Sequence, residues 1–137
     1  MFSFIARFAP IRFLPRPLAL ARVPAGFPSP AEDYIDRQLD LNEFIEHPAA
    51  TFFFRLEGDS MEPLLRSGDE IFVDRNKRGG EGVFVVRIGD ALHVKQVQSR
   101  GPGDIALISA NDAYAPIELA REEIEVIGRV VWKGGRL

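Results

Sequence analysis

From residue 51 onward, apolar and polar positions alternate in short runs bounded by turn residues, the period-two signature of half-buried strands. The pattern predicts strands over Thr51–Leu56, Glu70–Asp74, Val83–Ile88, Leu92–Gln98, Ile105–Ser109 and Ile124–Trp132, each rich in β-branched or aromatic residues. Ser67-Gly68-Asp69, Lys77-Arg78-Gly79-Gly80 and Gly101-Pro102-Gly103-Asp104 separate them. Between two of the runs, Gly89-Asp90 has the glycine-first order of a two-residue type II′ hairpin. Upstream, Ser29-Pro30-Ala31-Glu32 and Asp40-Leu41-Asn42-Glu43 have capping-box spacing and predict two brief helices, the second ended by His47-Pro48. The expected fold class is therefore mostly β, a domain of antiparallel strands with a few short helices. Long helices do not alternate with strands, and neither a glycine-rich phosphate loop nor an internal repeat is present, so a nucleotide-binding α/β enzyme is disfavoured.

Before residue 32 the pattern breaks down. Residues 1–31 carry Arg7, Arg12, Arg16 and Arg22, no acid, and prolines at 10, 15, 17, 24, 28 and 30. That stretch holds +4 of a chain whose net charge is −3, so the remainder holds −7. The reading is a mobile arm and linker, residues 1–31, ahead of a β-rich domain, residues 32–137. A basic, acid-free start also raises a secretory signal or a transit peptide. Arginine and proline interrupt its apolar stretches, so no h-region forms, and nothing approaches the roughly 20 apolar residues of a membrane span. No membrane partner is expected.

Composition narrows the chemistry. A chain of 137 residues, 46 % hydrophobic and 27 % charged, suits one globular domain. With no cysteine, disulfide frameworks, zinc-thiolate and iron–sulfur sites and a cysteine nucleophile are excluded. No His/Asp/Glu group has metal-ligand spacing, so no metal and no cofactor are expected.

The most informative local feature is Glu57-Gly58-Asp59-Ser60-Met61-Glu62-Pro63-Leu64-Leu65, directly after the first strand. A serine at a strand exit presents Oγ at the rim of a rigid sheet, with backbone N–H groups nearby to receive an oxyanion. Ser60 can equally be the N-cap of a helical turn from Met61 to Leu65. A nucleophile needs a base. His47 sits in a helix-ending context, and His93, in a strand, reads more simply as a surface or satisfied core histidine. Of the three lysines, Lys77 and Lys133 lie in polar or glycine-rich turns. Lys95 lies inside Leu92-His93-Val94-Lys95-Gln96-Val97, where alternation puts His93, Lys95 and Val97 on one face and Leu92 and Val94 on the other. Desolvation can bring a lysine from about 10.4 toward 7 or 8, where it serves as a base. An exposed edge-strand lysine is the competing reading.

Taken together, Gly58-Asp59-Ser60-Met61, Pro63, Gly68-Asp69 and a strand lysine thirty-five positions after the serine resemble the self-cleaving LexA-like peptidases. Gly26-Phe27-Pro28-Ser29-Pro30-Ala31-Glu32-Asp33-Tyr34 and Asp40-Leu41-Asn42 look like the linker of the UmuD proteins of bacterial SOS mutagenesis. The run from Leu107 to Ile117, with Ser109-Ala110-Asn111-Asp112-Ala113-Tyr114, and Gly128-Arg129-Val130-Val131 look like that family's second half. The likeness covers about Ala25 to Trp132.

This resemblance implies Ser60 as nucleophile, Lys95 as neutral general base and backbone N–H groups near Asp59 and Ser60 as the oxyanion hole. It implies self-cleavage between Ala25 and Gly26, on the proline-rich linker. As implied partners it brings a second copy in a homodimer, a RecA filament on single-stranded DNA that stimulates cutting, and a UmuC-like Y-family polymerase subunit that takes up the shortened product. The implied compartment is the bacterial cytoplasm. Residues 1–25 are too short and proline-rich for a helix-turn-helix, so sequence-specific DNA binding is not expected. Two departures stand out: the arm's first two dozen residues show no clear correspondence to the family, and Glu81-Gly82-Val83 stands where the family more often has Gly-Asp. The competing function is a non-catalytic module of the same fold that docks a polymerase or filament.

Overall fold

The computed structural model of the chain describes Ala6–Arg7, Pro15–Ala19 and residues 35–137, with side chains from residue 43 onward. It divides into two compact units, residues 1–8 with 49–137 and residues 9–48.

The larger unit is a single antiparallel sheet of eight strands. In chain order these are β1 (Ala6–Arg7), β4 (Thr51–Arg55), β5 (Glu70–Asp74), β6 (Val83–Ile88), β7 (Ala91–Ser99), β8 (Asp104–Ile108), β9 (Ile117–Ala120) and β10 (Glu125–Gly134). The spatial order is β1-β4-β5-β10-β6-β7-β8-β9, so the last strand in sequence lies at the centre, between β5 and β6. The mostly β, antiparallel expectation holds, and all six predicted strands form within two residues of their expected limits. Gly89 has φ +58° and Asp90 has none of that sign, with Ile88 and Ala91 paired across them, the two-residue II′ geometry expected there.

Strand β6 carries the core. Phe84, Val85 and Val86 are all buried although successive side chains face opposite ways. Two apolar clusters result. Val85 joins Leu56, Met61, Leu65, Ile71, Val73 and Ile127 on one side. Phe84 and Val86 join Ile105 and Leu107 on the other. The alternation expected in β7 appears here as well: Leu92 and Val94 pack on the first cluster and Val97 on the second.

In the smaller unit, β2 (Pro15–Ala19) and β3 (Ile35–Asp40) form a two-stranded ribbon, followed by a 3₁₀ turn at Leu41–Phe44. The second predicted helix is thus a single 3₁₀ turn, because strand β3 runs up to Asp40 and His47-Pro48 closes the stretch soon after. The first predicted helix, at residues 29–32, lies outside the described residues. Strand β2 had no sequence signal because of Pro15 and Pro17. Two positions apart, their ring nitrogens fall on the same edge, and a two-stranded ribbon has an edge without ladder bonds to lose. Strand β9 was also missed, being four residues long and starting directly after Pro116.

Candidate active site

Strand β4 ends at Arg55, and Leu56 continues its ladder: Leu56 N–H donates to Asp69 O at 2.8 Å and Gly68 N–H to Leu56 O at 2.8 Å. The chain then swings through Gly58, whose φ of +92° requires glycine. It re-enters the core at Met61 and Leu65, each 2 % exposed, with Leu65 N–H bonded to Met61 O at 2.8 Å. Ser60 sits between that turn and that anchor. Its backbone is therefore held while Oγ stays at the surface of the sheet.

Lys95 comes from the middle of β7, opposite Phe84 of β6, and is 6 % exposed. Its burial sets it apart from the exposed edge-strand lysine of the competing reading. Its Nζ lies 2.7 Å from Ser60 Oγ and donates to Ser109 Oγ at 2.9 Å. Burial holds the Lys95 ammonium below its ordinary 10.5. A neutral amine has two N–H bonds and one lone pair. With one N–H directed to Ser109, the lone pair is available for the Ser60 hydroxyl proton.

Ser109 directly follows β8 and is itself buried. After it, the Ser109–Tyr114 segment folds over the serine loop: Asn111 N–H donates to Ser60 O at 2.9 Å, Asn111 Nδ2 to Asp59 O at 3.0 Å, and the Tyr114 hydroxyl to Asp59 Oδ1. The Tyr114 ring centroid is 5.7 Å from Lys95 Nζ. Its hydroxyl is pushed above its ordinary 10.0, first by the bond to the Asp59 carboxylate. Sequence reasoning gave Ser109, Asn111 and Tyr114 no role. The available signal was a polar, turn-forming run directly after a strand, which by itself reads as a loop.

Ser60 and Lys95 open onto a cleft of about 680 Å³, walled by the end of β4 and the start of β7, with Phe54, Leu56, Met61, Leu92 and Val94 as its apolar lining. His93 also lines it, half-buried. Only β6 pairs with Ala91–Lys95, since β8 joins at Gln96, so among the described residues one edge of β7 is unpaired along the cleft. Of the expected site residues, Ser60, Lys95 and the backbone of Asp59 are brought together. Ala25 and Gly26 lie outside the described residues.

A buried ammonium costs stability, which gives a prediction. Because the folded-state value lies below 10.5, the unfolded chain binds more protons between the two, and stability rises with pH across that window. Below the folded-state value the cost is present in full. Lys95→Met, of similar volume and without charge, is expected to raise the urea midpoint at pH 7 and to flatten its rise toward pH 10. An unchanged midpoint and slope would show that Lys95 is no less solvated in the folded chain than in the unfolded one.

Residues 17–131 match the family described as Peptidase S24-like. Among curated proteins, the chain is 44 % identical to Protein SamA of Salmonella typhimurium strain LT2 over 83 % of its own length and 81 % of the relative's. It is 48 % identical to Protein ImpA of Escherichia coli over 62 % of this chain and 61 % of that one. To LexA repressor 1 of Pseudomonas putida it is 34 % identical over 79 % of this chain and 54 % of the repressor, so it spans about half of that relative's length. The family match runs from before β4 into β10 and includes Ser60 and Lys95, and the chain belongs to the Peptidase S24-like family, as a UmuD-like protein of the LexA-like serine peptidase kind.

Proposed function

We propose that this chain cleaves itself between Ala25 and Gly26 with Ser60 as nucleophile and Lys95 as base, and that the product works in the SOS mutagenesis response. The observation that carries the reading is the buried Lys95 amine 2.7 Å from Ser60 Oγ. Neutral Nζ takes the hydroxyl proton as Oγ adds to the Ala25 carbonyl, and backbone N–H groups at Asp59 and Ser60 receive the oxyanion. Protonated Nζ then returns that proton to the Gly26 nitrogen as the bond breaks, leaving the Ala25 acyl group on Ser60. Water, deprotonated by Lys95, releases the acyl group and regenerates the pair.

The unpaired edge of β7 supports an extended substrate, since a strand added there gains main-chain hydrogen bonds while running past Ser60. A proline-rich linker offers little competing structure, and glycine after the scissile bond lets the backbone approach closely. Tethering raises the effective concentration of the bond at the cleft, whether the arm enters its own cleft or that of a second copy. On this reading the arm, residues 1–31, is the substrate and residues 32–137 the peptidase domain.

Partners follow from the family resemblance. A RecA filament on single-stranded DNA would act by stabilising the cleavable arm conformation. If that conformation is about 1 % populated, the gain can reach roughly a hundredfold without any added catalytic group. The shortened product, as a homodimer, would join a UmuC-like Y-family polymerase subunit.

The test is intact-mass spectrometry of the purified chain over time from pH 7 to pH 10. A fragment beginning at Gly26 is expected, forming faster as pH rises and levelling off below 10.5, because the base is the neutral form of a lysine held below its ordinary value. A chain that stays whole at every pH, and also with activated RecA filament, would remove self-cleavage and leave the docking module.

A further inference from the structure

The serine loop is held from one side by a single segment. Asp59 O accepts from Asn111 Nδ2 at 3.0 Å and from Glu62 N–H at 3.1 Å, while Ser60 O accepts from Asn111 N–H at 2.9 Å. Asn111 therefore grips the carbonyls of both peptide planes that meet at Ser60. A trans peptide is planar with C=O and N–H opposed, so fixing the Asp59 carbonyl toward Asn111 fixes the Ser60 N–H away from it. That N–H donates to no protein acceptor among the described residues. Asn111 Oδ1 accepts from Ala113 N–H at 3.0 Å, which sets the amide's orientation, and the Tyr114 hydroxyl adds a bond to the Asp59 carboxylate.

We propose that Asn111 and Tyr114 are positioning residues of this peptidase: Asn111 sets the direction of the Ser60 N–H so that it meets the developing oxyanion, and Tyr114 keeps the Asp59 side of the loop in place. Resting on the Ser60/Lys95 reading, this adds the source of its preorganisation. Neither residue touches the scissile bond. Two peptide planes gripped by one asparagine lose the freedom to reorient as charge develops, and that is where oxyanion donors derive their effect.

The full-length chain tests this, by the rate of Gly26 fragment formation across pH. Asn111→Asp keeps an acceptor for Ala113 N–H but replaces the Nδ2 donor with an oxygen facing Asp59 O. It is expected to slow cutting about tenfold to a hundredfold, below the full loss of an oxyanion donor. Tyr114→Phe, which keeps the ring, is expected to slow it about fivefold, the scale of one hydrogen bond. In Tyr114→Phe, which adds no charge, the pH midpoint of the rate stays at the wild-type position, since Lys95 is untouched, and in both variants the thermal midpoint does not fall in step with the rate. Cutting by both variants within twofold of wild type, with Ser60→Ala inactive, would overturn the positioning role and leave the dyad standing. In Tyr114→Phe, a midpoint displaced toward 10.5 would overturn it too, placing the effect on Lys95. If Asn111→Asp does not fold, Tyr114→Phe decides by the same criteria. A wild-type chain that makes no Ser60-dependent fragment would remove the dyad reading, and this role with it.

Discussion

Ser60→Ala is expected to abolish the fragment beginning at Gly26, slowing its formation by about 10³-fold or more, and Lys95→Ala to do the same. Each residue supplies what the other lacks. Alanine at 60 removes the oxygen held 2.7 Å from the buried amine, and alanine at 95 leaves the Ser60 hydroxyl without the amine that takes its proton. Two residues acting as one unit should not add, so the double variant should cut no more slowly than either single one. Neither change is expected to unfold the domain. Ser60 is only half-buried, and removing the Lys95 ammonium relieves a desolvation cost as well as losing packing. Circular dichroism and thermal midpoints read the fold, and intact mass at the plateau pH reads the rate. Cutting at the wild-type rate by either variant would end the dyad mechanism.

Phe84→Ala should have the largest effect on stability, about 3–5 kcal/mol. Phe84 is 1 % exposed near the start of β6, where it packs with Val86, Ile105 and Leu107. Against a total of about 5–15 kcal/mol for a typical domain, such a loss takes most or all of the margin. Phe84 is also the register partner of Lys95 across β6 and β7, so the same cavity opens beside the base. The denaturant midpoint of Phe84→Leu should fall by no more than about 1.5 kcal/mol in ΔG, since most of the volume is kept. If Phe84→Ala lost less than about 1 kcal/mol, the two-sided burial of β6 would not be the main support of this sheet.

Much of the fold was legible because its signals are local. Val83 to Val86 is a continuous apolar run, as a strand buried on both faces must be, and Gly89-Asp90 has the glycine where the turn needs a positive φ. The regions that escaped were those in which neighbours override local preference. Strand β2 pairs despite two prolines, and β9 is a strand only because β8 offers it an edge. Ser60 and Lys95 could be picked out as a strand-exit serine and a strand lysine. Considered singly, both also read as ordinary structural residues, and along the sequence only the family resemblance links them.

By itself, the sequence determined the antiparallel β character, the tight turns, the absence of thiol chemistry and the identity of the two candidate reactive residues. Each of these is carried by residue type and short-range spacing. The tertiary structure decided what depends on atoms far apart along the chain. It brought Lys95 Nζ to Ser60 Oγ across thirty-five positions and laid Asn111 across Asp59 fifty-two positions away. It also buried the lysine deeply enough to lower its proton affinity. Proton affinity and hydrogen-bond direction are set by the surroundings of an atom, and in a sheet whose last strand lies at its centre those surroundings come from segments far apart along the chain.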